Sequence, residues 1–212
     1  MEVLGVPISI WHSLVVEEHT GIMVFILLLL AVRVLADIFS RGKVASPRVL
    51  SIHSASDTIT YLGSIAVVAF LIVSGITGYL SVPYSSLISQ PILIDKSLLA
   101  LGSLYFWAAF FFLRYWFGPG LWKRAGLYAV YVLTALLGFL FTMLTASIGA
   151  ELAVGESALE PVYSALSFSW STFTLQPADI EITLALVVIG VVVALIALFR
   201  APKSKTTPSM SP

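Results

Sequence analysis

Residues 21–39 read GIMVFILLLLAVRVLADIF, a run whose charges are confined to Arg33 and Asp37. A bilayer core of ~30 Å takes about 20 apolar residues in a helix, so this stretch predicts a transmembrane helix. It shows no strand-like alternation, and only helices or closed barrels satisfy their backbone in lipid. Four more runs of the same character follow at 61–80, 98–117, 127–148 and 182–199. The expected fold is therefore all-α, a polytopic membrane helical bundle. Five transmembrane helices are expected, at about 13–39, 57–80, 97–117, 126–149 and 181–200.

Composition supports this reading. The chain is 59% hydrophobic and 10% charged over 212 residues, outside the usual range of soluble domains. The five runs leave little for a separate soluble unit, so residues 1–200 read as a single membrane domain. The Ser/Thr/Pro/Lys-rich tail at 201–212 is expected to be disordered and cytoplasmic. Glu17, Glu18 and His19 precede the first run where a secretory signal would carry basic residues. With no cysteine, disulfides and thiolate-ligated metal or iron–sulfur sites are excluded. No nucleic-acid-binding pattern, phosphate-cradling glycine loop or Ser/His/Asp arrangement is present.

The runs sort the charges. Arg33, Arg41, Lys43, Arg48, Arg114, Lys123, Arg124, Arg200, Lys203 and Lys205 fall on one side of the five spans, and Lys96 alone on the other. All acids except Asp37 and Asp57 share the side of Lys96. Excess Lys/Arg marks the cytoplasmic side of short loops, which predicts the N-terminus outside and the C-terminus cytoplasmic in a multi-pass protein of the cell membrane. The outer segment at 150–180 carries acids without Lys or Arg. Its mixture of aromatics and serines predicts a short amphipathic helix on the outer surface, or a lid over the bundle.

Ionisable groups within membrane spans are functional candidates. His12 and His19 are candidate haem or metal ligands. They lie seven residues apart on one helix and so cannot approach one iron from opposite faces. His53 belongs at the other end of the spans, roughly 30 Å away, which excludes a haem held by His19 and His53. A haem would need a mixed ligand set or a histidine from another subunit. Glu17, Glu18, His12 and His19 together suit a metal, but no metal-site spacing is present and a polar helix start accounts for them; no metal site is assigned.

Arg33 and Asp37, four residues apart, are expected to form a structural charge pair. Asp57 stands at a similar depth, within reach of Arg33 or Arg41. His53, Asp57 and Tyr61 recur at four-residue spacing and form a candidate quinone-headgroup or proton site, with His53 and Asp57 placed to share a proton.

Several pieces resemble an uncharacterised family of four-helix membrane proteins. They are His12 and His19 before the first run, Asp37 at its end, Thr77-Gly78-Tyr79-Leu80, Leu113-Arg114, and the glycine-containing stretch from Ser147 to Gly155. The resemblance covers residues 12–156 and implies a helical bundle with one added helix. The family's proline after the first histidine is missing, and Asp95-Lys96 stands where a histidine often opens the third helix. No cofactor is therefore carried over from the resemblance.

These features together predict an integral membrane subunit of a larger respiratory or other electron-transfer complex, one that anchors partner subunits and contributes to a quinone or haem environment. Its expected partners are the lipid bilayer and other membrane protein subunits, with haem b or quinone as candidate cofactors. The alternatives are a small proton-coupled transporter using Arg33, Asp37 and Asp57, and an independent b-type cytochrome using His12 or His19.

Overall fold

The computed structural model describes Glu2, Val3 and residues 5–39, 46–155 and 159–167. A two-residue hairpin, β1 (Glu2–Val3) with β2 (Val6–Pro7), precedes helix α1 (Ile8–Phe39). Then come α2 (Pro47–Ser81), the short α3 (Tyr84–Ser89) and α4 (Pro91–Phe117). A 3-10 turn (Gly118–Lys123) leads into α5 (Ala125–Val154), and a single-turn helix α6 (Glu160–Ala165) follows. The described residues are all-helical apart from the hairpin and connections. Four of the helices are long and apolar enough to cross a membrane. The fifth expected span at 181–200, the tail at 201–212 and most of the outer segment lie outside the described residues, as do Arg41 and Lys43.

The helices outrun their apolar cores. The first begins at Ile8, not near 13; the second at Pro47, not near 57; the third at Pro91, not near 97. Hydrocarbon thickness limits where side chains must be apolar, whereas a helix stops only where its caps stop it. Ser46 caps α2, accepting from the Val49 amide at 3.4 Å with Pro47 in the first turn. At the far end of α5, Gly155 takes a left-handed φ of 77° and closes the helix at its C-terminus.

The four long helices run alternately up and down. α1 pairs with α2, α4 with α5, α2 joins the two hairpins, and α1 meets α5 to close the ring. Met23, Ile26 and Leu30 of α1 fill the interior with Val67, Trp107, Phe110, Leu121, Tyr131 and Ala135. Phe110 stacks on Tyr131 with ring centroids 4.0 Å apart. Close approach of α4 and α5 depends on Gly138, where a Cβ would come within 2.9 Å of the Trp107 indole. Only 17–22% of each apolar window is buried inside the bundle. The remainder faces outward as a continuous apolar surface, including Leu28, Leu62, Ile76, Leu133 and Leu140, which is what lipid contact requires.

The topology gathers α1's end, α2's start, α4's end, the 3-10 turn and α5's start at one end of the bundle. Arg33, Arg114, Lys123 and Arg124 belong to that end. The opposite end holds the hairpin, α3 and α6, with Glu17, Glu18, Asp95, Lys96, Glu151 and Glu160.

Candidate functional site

The richest set of polar side chains lies at the Arg-bearing end. α1 delivers Arg33 and Asp37 one turn apart, and α2, running antiparallel, delivers His53, Asp57 and Tyr61. Arg114 comes from the last turn of α4. The Gly118-Pro119-Gly120 sequence folds the chain into the 3-10 turn that carries Trp122 inward, and the first turns of α5 add Tyr128 and Tyr131.

Asp57 is the centre. Its Oδ1 accepts from Arg114 Nε at 2.7 Å and from Trp122 Nε1 at 2.6 Å, and its Oδ2 accepts from Arg114 Nη2 at 2.5 Å. A two-pronged guanidinium fork is among the strongest partners a carboxylate can find. Arg33 donates from Nη1 to the His53 carbonyl at 2.8 Å, and its guanidinium lies 3.6 Å above the Trp122 ring. That face-on contact adds a cation–π attraction. The Trp122 indole therefore bridges the two hairpins, touching Arg33 of α1 by its face and Asp57 of α2 by its N–H.

The expected His53–Asp57 proton-sharing pair does not form. His53 turns toward α1, its Nε2 3.2 Å from Asp37 Oδ1, because the Arg114 fork and Trp122 occupy both oxygens of Asp57. Arg33 stands 4.0 Å from Asp37 Oδ2, a looser contact than its bond to the His53 carbonyl. Tyr61 is turned away as well. Its ring stacks on Phe111 at 5.7 Å and lies 5.5 Å below the Arg114 guanidinium. His53 faces Asp37, whereas Asp57 and Tyr61 both meet Arg114, one through its fork and the other through its face, so the three side chains do not converge on one point.

Charge balance explains why this arrangement persists in a buried setting. Two arginines face two aspartates, so the network is neutral whenever His53 is neutral. Burying a charge is costly unless it is paired and hydrogen-bonded, and here the pairing joins α1, α2, α4 and the turn before α5. The sequence showed Arg114 only among the sorted charges, without its partner, and gave no sign of the part Trp122 plays. The signal available was a lone Arg at the end of an aromatic-rich apolar helix, whose depth asks for a counter-charge.

The other histidines lie toward the opposite end. His12 Nδ1 is 3.2 Å from Thr77 Oγ1, and its ring rests over Gly78, where a Cβ would fall 3.0 Å from the His12 Cε1. His19 is buried, with Nδ1 2.6 Å from the Val15 carbonyl. A carbonyl only accepts, so Nδ1 carries the proton and Nε2 is the acceptor nitrogen. Asp37, the partner of His53, is eighteen residues from His19 along α1, about 27 Å. No two histidines of this chain therefore face a common haem iron. Among the described residues, no group of three or more His, Asp or Glu is arranged to hold a metal ion. At the same end Asp95 is fully buried, Lys96 packs over Gly149, and Tyr163 of α6 donates to Ser147 Oγ at 2.7 Å. Comparison with protein-family models, curated proteins and solved structures finds no significant match for the chain.

Proposed function

We propose that this protein is an integral membrane subunit of a larger respiratory or other electron-transfer complex, anchoring partner subunits in the bilayer. The observation that carries the reading is the closed charge network. Asp57, Arg114 and Trp122 make their strongest contacts with one another, and Arg33, bonded to the His53 carbonyl, lies over the Trp122 ring, which ties the helices together and leaves the outer faces apolar. That suits an anchor better than a reaction centre. The packed layer of Met23, Ile26, Leu30, Val67, Trp107 and Phe110 fills the interior among the described helices, which weighs against the transporter reading. The separation of the three histidines weighs against an independent b-type cytochrome. A haem or quinone in this reading belongs to a site shared with a neighbouring subunit, with His19 the best-prepared residue to contribute.

The sidedness of the charges supports the Arg-bearing end as cytoplasmic and the N-terminus as outside, with the run at 182–199 as a fifth span. The four spans among the described residues cover the stretch that resembles the four-helix membrane family. Purification in a mild detergent from the native membrane tests the assembly. Co-purifying subunits with haem, flavin or iron–sulfur absorbance are expected. Recovery of the chain alone, or with partners carrying no redox group, refutes the proposal.

A further inference from the structure

At the end of the bundle that carries the hairpin, each long helix supplies one member of a small cluster: His12 of α1, Gly78 of α2, Lys96 of α4 and Gly149 of α5. The two glycines make the room. A Cβ on Gly149 would fall 3.2 Å from Lys96 Nζ, and one on Gly78 3.0 Å from His12 Cε1. The ammonium and the imidazole therefore rest against the backbone of a neighbouring helix. Lys96 reaches from α4 onto α5 and stays close enough to α1 for its charge to act on His12. Thr77 holds the imidazole. Its hydroxyl donates to the Val73 or Ser74 carbonyl, at 3.0 and 3.2 Å, so its oxygen accepts from His12 Nδ1–H at 3.2 Å. That leaves Nε2 for a ligand.

The cluster carries positive charge and no counter-charge. Lys96 is the only Lys or Arg on its side of the spans and is half-buried. Among the described residues it makes no hydrogen bond and no ion pair. Glu17 and Glu18 are exposed on α1, and Glu160 accepts from Ser164 Oγ at 3.3 Å. At the other end of the bundle, by contrast, Arg114 is answered by Asp57. A half-buried ammonium keeps three donors, and its desolvation is costly until an anion meets it. Depth decides which anion. Lys96 lies two residues before the apolar run at 98–117, Gly149 one residue after the run at 127–148, and Gly78 in the last turn of the run at 61–80. These positions mark the edge of the hydrocarbon layer, where the lipid headgroup region begins.

We propose that Lys96, with His12 beside it, binds the phosphate of an anionic phospholipid in the leaflet at that end. The ammonium donates charge-assisted hydrogen bonds to the phosphate oxygens. His12, with Nδ1 held by Thr77, adds Nε2–H as a second donor when it is protonated. Basic pockets between membrane helices bind lipid headgroups by this chemistry. All the residues involved belong to this chain, so the site stands whether or not the chain assembles with other subunits.

The test measures phosphatidylglycerol bound to the full chain in detergent by native mass spectrometry. Lys123→Gln with Arg124→Gln serves as the background, because it removes exposed cations of the opposite end. In that background one phosphatidylglycerol retained at low lipid ratio is expected. Lys96→Gln should weaken its binding about fivefold or more, the effect of one cation at a lipid surface. Gly149→Val pushes the ammonium off α5 and provides the same comparison if the neutral variant does not fold. Millimolar inorganic phosphate supplies the same oxygens without acyl chains and should leave the lipid in place; displacement makes the occupant a soluble anion and overturns the lipid assignment. A background chain that retains no lipid overturns the proposal. So does a folded Lys96→Gln chain, judged by helicity and a single symmetric elution peak, that retains the lipid equally.

Discussion

Replacing Asp57 by asparagine removes one charge and keeps the side-chain volume. Arg114 then remains buried, its side chain 14% exposed, facing an amide instead of a carboxylate. Breaking a buried pair by removing one partner costs about 3–5 kcal/mol. The new amide oxygen can still accept from Trp122 or from one prong of Arg114, so the lower end of that range, about 3 kcal/mol, is expected. Arg114→Gln should cost a similar amount. The double variant should recover much of the loss, because a Gln–Asn pair leaves no lone charge inside the bundle. Dodecyl sulfate titration in mixed micelles, followed by far-UV circular dichroism and tryptophan fluorescence, gives the four free energies of the cycle. A coupling of about 2 kcal/mol is expected for groups in direct contact. That is well above the ~0.6 kcal/mol average for interhelical hydrogen bonds in membranes. Coupling at or below that average would refute the claim that this pair joins the two hairpins.

Three further outcomes follow from the geometry. Trp122→Phe deletes the N–H that reaches Asp57 at 2.6 Å while keeping a ring under Arg33; a loss of about 1–3 kcal/mol in the same titration is expected, and none would contradict the bridging role. Gly138→Val pushes methyl groups into the Trp107 indole and should cost about 1–3 kcal/mol by overpacking, with wild-type stability counting against the close α4–α5 approach. Because the natural chain has no cysteine, Ser85→Cys and Lys123→Cys report sidedness directly. A membrane-impermeant maleimide should label position 85 in intact cells and position 123 only after permeabilisation, and the reverse pattern would invert the orientation.

The spans were legible because a bilayer imposes one simple demand, an apolar side chain at every lipid-facing position over about 20 residues. The ends of the helices were not, since caps such as Ser46-Pro47 operate in water beyond that demand. The Arg-bearing end was legible in outline from charge alone. Its pairings were not. Four-residue spacing suggested His53 with Asp57, but spacing along one helix says nothing about what a neighbouring helix brings. Arg114 lies 57 residues from Asp57 in sequence, and only the packing of α4 against α2 reveals the contact. The buried hydroxyl residues of α2 were hidden for a related reason. In water a helix marks its core face with apolar residues, whereas α2 is apolar toward lipid and marks its inner face with Ser56, Thr60, Ser64, Ser74 and Thr77.

The bond between Asp57 and Arg114 also imposes an order on biogenesis. At about 5–20 residues per second, the ribosome completes Arg114 about 3–11 s after Asp57. For that interval the first hairpin holds an acid without its fork. Arg33 is already present by then, fixed to the His53 carbonyl one turn away from Asp57. It is a cation available at that depth to shelter the carboxylate until α4 arrives. Losing Arg33 should therefore damage insertion of the nascent protein more than it damages the finished bundle.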